Sequence, residues 1–174
     1  GVDDNIIDGT IAYQLVTGDP TSTDSVYDIL GASDVANPSF TNTDNDTAGF
    51  TVTQSLLTTQ VTEGLVTDSF TVVLSAQPDT DVTISVASND TTAATVSASM
   101  LTFTSLNWNV AQTITVTAPQ DNDVVSETPT ITLAVVDASS DNNFDPLVDQ
   151  YVFPTVTDDD TANLTLSTAS LTMN

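Results

Sequence analysis

Every side chain here that ionises near neutral pH is a carboxylate. The 174 residues contain 22 Asp and two Glu, Glu63 and Glu127, but no Lys, Arg or His, for a formal net charge of -24. Carboxylates without basic partners can cap turns, work in pairs on glycosidic bonds, or bind hard cations. Glycoside hydrolysis needs two carboxyls about 5 to 9.5 Å apart, one with a raised pKa. The sequence singles out no such pair, and no aromatic cleft accompanies one. Ser-His-Asp and Cys-His catalysis, Schiff-base chemistry and His-ligated zinc require residue types that are absent. The remaining chemistry is oxygen ligation, which suits Ca2+ at about six to eight oxygens better than zinc. A non-enzymatic protein is expected.

The same charge limits the partners. A strongly anionic surface repels nucleic acid and anionic lipid, and no Arg fork or P-loop Lys is present to hold a nucleotide. No apolar run approaches the roughly 20 residues of a membrane helix, so no membrane insertion is expected. Acidity and the absence of Cys point to an extracellular, secreted or cell-surface setting.

The carboxylates are organised by an internal repeat. Thr43-Asp44-Asn45-Asp46-Thr47-Ala48 returns 114 residues later as Thr157-Asp158-Asp159-Asp160-Thr161-Ala162, a spacing close to one immunoglobulin-like sandwich. Gly49-Phe50-Thr51-Val52-Thr53 matches Asn163-Leu164-Thr165-Leu166-Ser167 in the same way. The expected organisation is the C-terminal half of a module over 1-42, an acidic linker at 43-48 and a complete module over 49-156. A second linker follows at 157-162, then the first strand of a further module at 163-174.

Within 49-156 the period-2 pattern, rich in β-branched residues, predicts seven antiparallel strands of an all-β sandwich. Phe50 and Val52 mark strand A, Phe70, Val72 and Leu74 strand B, Val82, Ile84 and Val86 strand C, and Leu101 and Phe103 strand D. Ile114 and Val116 mark E, Ile131, Leu133 and Val135 mark F, and Tyr151 and Phe153 mark G. With alternating strand direction, the A-B, C-D and E-F loops share one end with the exit of G. That end carries Glu63, Asp90, Asp121, Asp123, Glu127, Asp158 and Asp160. Seven converging carboxylates with no basic neighbour raise each other's pKa unless a cation binds, and Ca2+ is the expected ion. The opposite end carries the F-G loop with Asp141 and Asp145. It would face a second site made with Asp44, Asp46, Asp3, Asp4 and Asp8 at the preceding junction. Asp68, at the start of strand B, is expected to have little effect when changed to Asn.

The acidic E-F loop, the isolated Glu63 and the Asp-rich exit resemble Calx-beta domains, calcium-binding sandwiches with ions at the inter-domain end. The runs Val61-Thr62-Glu63-Gly64, Leu101-Thr102-Phe103-Thr104 and Asn107-Trp108-Asn109-Val110-Ala111-Gln112-Thr113-Ile114-Thr115-Val116-Thr117 are similar to tandem extracellular repeats of large bacterial adhesins and surface fibres. The likeness implies Glu63, Asp90, Asp121, Asp123, Asp158 and Asp160 as ligands. Asn122 departs from the second acid of the Asp3-Asp4 pair, so the two junctions would differ in affinity or ion number.

Blander roles compete. Asp in turns supports Asx geometry, Trp108 can cover one end of the core rather than stack on a sugar, and the Asn45, Asn89 and Asn163 sequons arise readily in a Thr-rich chain. The expected function is a structural segment of an extracellular fibre or adhesin. Its modules would be joined end to end, stiffened by Ca2+ and completed by neighbouring copies in a filament, with surface glycans as further candidate partners. The alternative is a carbohydrate-binding or spacer module of a secreted polysaccharide-degrading enzyme, which an aromatic row on one sheet face would favour.

Overall fold

Alternation of apolar with hydroxyl side chains decides the architecture. Phe70, Val72 and Leu74 turn to one side of their strand and are buried, while Thr71 and Val73 between them are only half-buried. In the computed structural model, which describes residues 11–14 and 39–164, this pattern yields an all-β chain. Its strands in chain order are β1 (Ile11–Gln14), β2 (Ser39–Asn42), β3 (Phe50–Gln54), β4 (Gln60–Thr62), β5 (Asp68–Leu74) and β6 (Val82–Ser88). They continue with β7 (Thr95–Val96), β8 (Met100–Phe103), β9 (Gln112–Thr117), β10 (Ile131–Val135), β11 (Gln150–Val152) and β12 (Thr155–Thr157).

β3 to β12 form the sandwich. One antiparallel sheet has the order β3-β5-β9-β7 and the other β11-β10-β6-β8, while β12 pairs in parallel with β4. Register places like with like on the inner faces: Phe70 opposite Ile114, Leu133 opposite Val86, Ile131 opposite Val152, and Val82 opposite Phe103. These side chains are fully buried in one core. Each contributes about 1.5–3 kcal/mol by leaving water. Phe144 plugs the core from the loop before β11, in a turn closed by its amide on the Asp141 carbonyl at 2.9 Å. Trp108, partly buried, packs against the same core, so it is a cover rather than a sugar platform. β1 and β2 form a separate antiparallel pair with Tyr13 opposite Phe40.

The expected A-to-G set is present, with two strands split and one added. Strand A breaks after Gln54 into β3 and β4, which belong to different sheets. The break is a single 3-10 turn in which Leu56 and Leu57 take positive φ of 48° and 71°. Such backbone strain persists only where surrounding contacts hold it. Two side chains do so. Gln54 Oε1 accepts from the amide and hydroxyl of Thr59 at 3.1 and 3.0 Å, and Asp68 accepts from Ser55 Oγ and from the Gln60 amide. Strand G divides likewise into β11 and β12 around Pro154, which has no amide to donate. β7 extends the first sheet at its far edge.

Asp68 is therefore no bystander. Burial pushes its carboxyl pKa up, but hydrogen bonds from Ser55, Gln60 and Ser69 outweigh that and hold it below the ordinary value. Asp68→Asn should cost about 1–2 kcal/mol in urea unfolding, because an amide cannot accept all three bonds. Phe144→Ala should cost about 3–5 kcal/mol, whereas Leu106→Ala, at a residue 91% exposed, should stay within about 0.5 kcal/mol.

Candidate metal centre

Three chain segments deliver carboxylates to one end of the sandwich. The first is the turn after β4. Its Glu63 amide donates to the Thr157 carbonyl at 3.1 Å, and the Gly64 amide donates to the Ala118 carbonyl at 3.2 Å. Glu63 is thereby wedged between the ends of β9 and β12. Gly64 has φ +58°, a conformation that favours glycine, and the end of the Gln120 side chain occupies the space beside it. Glu63 is only 1% exposed, and its Oε2 is buried with no hydrogen-bond partner.

The second segment is the loop between β9 and β10. Asp121 Oδ1 accepts the Asp123 amide at 2.8 Å and Asp123 Oδ1 accepts the Val125 amide at 2.7 Å, a staircase of Asx turns that fixes both carboxylates. Glu127 follows, held by the Val156 amide on its carbonyl at 2.9 Å, and its Oε2 is also buried without a partner. The third segment is the exit from β12. Asp158 Oδ1 accepts the Asp160 amide at 2.6 Å, and Asp158 Oδ2 is a further buried oxygen without a partner. Gln120 and Ser126, which the sequence does not single out, tie the loop to this exit: Gln120 Nε2 donates to Asp159 Oδ1 at 2.9 Å and Ser126 Oγ accepts the Asp158 amide at 3.3 Å.

Among the described residues, two trios of carboxylates bring ligand oxygens within 4.8 Å of one another: Glu63, Asp121 and Asp160, and Asp121, Asp123 and Glu127. Oxygens bound to one Ca2+ at about 2.3–2.6 Å lie no more than about 5 Å apart, and each trio lies within that span. Asp121 belongs to both. The electrostatics reflect crowding. Burial pushes the Glu63 carboxyl up; the Asp121 amide partly offsets this, and the charges of Asp121, Asp158 and Glu127 add to it. Glu127 is raised by burial and then by Asp123, Asp121, Asp158 and Asp90, and Asp160 by burial and then by Asp158, Asp159, Asp121 and Asp123.

The other sequence candidates are placed differently. Asp90 is exposed and turned to its own loop, where Oδ1 accepts the Thr92 hydroxyl at 2.6 Å and the amides of Thr92 and Ala93. Its pKa is lowered, first by the Thr92 hydroxyl, and it lies outside both trios. At the opposite end, Asp141 is buried and clamps two loops together, accepting the amides of Asp79 at 2.7 Å, Thr80 at 3.1 Å and Asn143 at 2.9 Å. Burial pushes it up, but those amides hold it below the ordinary value. Asp145 is half-buried with one buried oxygen lacking a partner. Asp44 Oδ1 accepts the Asp46 amide at 3.0 Å, the turn geometry seen at Asp158 and Asp160. None of these four belongs to a trio, and Asp3, Asp4 and Asp8 lie outside the described residues.

No family model matches the chain, and no curated protein matches it. Among solved structures it is similar to SSP-19, an MSP-domain protein-like family member in Caenorhabditis elegans, at 8% identity and a TM-score of 0.41, covering 57% of this chain and 94% of that one. Domains 1-6 of the surface layer protein SbsC are similar at 18% identity and a TM-score of 0.43, over 70% of this chain and 15% of that one. The E. coli chaperone DraB is similar at 6% identity and a TM-score of 0.45, over 67% of this chain and 59% of that one. At these scores the likeness is a loose one of β architecture and does not extend to function.

The titration of the carboxylates has a definite sign. Glu63, Glu127 and Asp160 hold protons in the folded chain that they release in the unfolded one, so with metal chelated their repulsion weakens the fold as pH rises through their raised values. Asp68, Asp90 and Asp141 do the reverse, and their contribution is lost as pH falls from 3.8 through their lowered values. In chelator, the melting temperature should rise as pH falls through the raised values toward 4.5, the ordinary value of the two glutamates, and fall again once pH drops below 3.8. A melting temperature that shows no rise before that fall would contradict the raised values.

Proposed function

We propose that this chain is a non-enzymatic structural segment of an extracellular fibre or adhesin, Calx-beta-like in its chemistry, whose sandwich binds Ca2+ at the end where the chain passes on. The observation that carries this reading is the buried, unpartnered Oε2 of Glu63 within a trio of carboxylates. A buried carboxylate oxygen with no donor, on a group with no basic neighbour, is costly, and a hard cation removes the cost. The donor set is all oxygen, as Ca2+ prefers and zinc does not. Glu63, Asp121 and Asp160 would hold one ion and Asp121, Asp123 and Glu127 a second, with Asp121 bridging. Carbonyls and water would complete the coordination, and the buried Asp158 Oδ2 is a further candidate ligand.

Such ions would tie the turn after β4, the β9–β10 loop and the exit at residues 158–160 into one unit. That is how a chain of sandwiches gains stiffness at its junctions, because each ion replaces repulsion among the segments by shared ligation. Asp44 and Asp46, with the same turn as Asp158 and Asp160, would play the corresponding part for a preceding module. Neighbouring modules or copies of the chain are the partners this arrangement suits, in an extracellular setting where Ca2+ is plentiful.

Calorimetric titration of the chelated protein with Ca2+ should show binding, and at about 100 times Kd the ion should add about 2.7 kcal/mol to unfolding. Asp121→Asn should remove most of that gain because it strips both positions, while Asp90→Asn should keep it. A Ca2+ gain that matches the effect of ionic strength alone would exclude the ion from the function.

A further inference from the structure

We propose a second binding surface: the outer face of the β11-β10-β6-β8 sheet is a platform for a neutral polysaccharide, with Tyr151 and Phe153 as its stacking rings. The two side chains leave the same face of β11 and its extension. They are 51% and 63% exposed, with ring centroids 6.3 Å apart and planes within 25° of parallel. Single exposed apolar residues are ordinary, whereas these two aromatic rings stand stacked together on a common face. The floor beside them is low and small. Tyr151 lies opposite Thr132 and Thr132 opposite Ala87, while the next rung sets Ala134 opposite Ser85. Met100, 55% exposed and opposite Ser85, stands at the β8 side of this floor.

Charge selects the class of occupant. The chain carries 24 acids, yet β6, β8, β10 and β11 contain not one Asp or Glu. An anionic polymer or a second copy of this chain would bring negative charge against a protein with no cation to answer it, and a cationic partner would be drawn to the acidic loops instead. A neutral glycan meets neither penalty. Its apolar ring faces would lie on Tyr151 and Phe153, and its hydroxyls would find Thr132, Ser85 and the Tyr151 phenol.

Affinity electrophoresis of the Ca2+-equilibrated chain through gels containing hydroxyethyl cellulose, galactomannan or dextran tests this. We expect retardation by at least one of them, insensitive to added NaCl, and reduced at least tenfold in apparent affinity in Tyr151→Ala/Phe153→Ala. Both rings are exposed, so that variant should melt with the wild type, and the single variants serve if it does not. No retardation in all three gels, retardation unchanged in the variants, or salt-sensitive retardation would overturn the proposal. So would sedimentation showing a self-association that the double variant abolishes, which would make the face a contact between copies. Retardation of the wild-type chain should be the same in Ca2+ and in chelator below its melting temperature, which separates failure here from failure of the calcium reading.

Discussion

The backbone amide is the principal answer this chain has to its own charge. With no Lys, Arg or His, an aspartate that must be held in place is held by N–H groups and by the occasional hydroxyl. Asp141 gathers three amides, Asp68 and Asp90 each take two amides and a hydroxyl, and Asp121, Asp123 and Asp158 each take the amide two residues on. Such charge-assisted bonds are stronger than neutral ones, and they make local turns out of residues that would otherwise repel. The loops acquire defined shapes for that reason.

This solution has a limit, and it is reached at one end of the sandwich. Amides can satisfy a carboxylate in a turn, but Glu63 is carried inward by β4 and the Gly64 turn, where buried strands have already used their amides on one another. Its Oε2, with those of Glu127 and Asp158 Oδ2, is left without a donor. The contrast between Asp141, lowered by its amides, and Glu63, raised by burial, is the same residue chemistry in two backbone settings. At one end of the sandwich Asp141 is answered from within, whereas three carboxylate oxygens at the other are not.

How much of this was legible follows from which interactions are local. Alternation at Phe70, Val72 and Leu74, or at Ile131 and Leu133, reads directly because a two-residue period has one meaning in a strand. The gathering of Glu63, Asp121, Asp123, Glu127, Asp158 and Asp160 at one end was also readable, since alternating strand directions suffice to place it. The break at Leu56 and Leu57 was not, because neither residue favours positive φ and the clamp from Gln54 and Asp68 is a tertiary fact. Asp68 and Asp141 show the same blindness from the other side: the first reads as an inert acid at a strand start and the second as a candidate ligand until amides from other segments are folded onto them. The Tyr151–Phe153 pair was visible only as strand G, because exposure cannot be read from alternation alone when both faces carry apolar residues.

The parallel pairing of β4 with β12 has a mechanical meaning. The chain enters the sandwich at β3, turns into β4 and leaves from the far end of β12, so tension on the two ends draws these strands past one another along their length. The bonds between them, including Thr155 amide to Thr59 carbonyl at 2.9 Å and Glu63 amide to Thr157 carbonyl at 3.1 Å, lie across that pull and are strained together rather than one after another. A peeled hairpin gives way bond by bond, whereas this pair must slip as a whole. The last of those bonds is made by Glu63 itself, so the residue at the centre of the carboxylate cluster is also a rivet in the strand pair that resists extension.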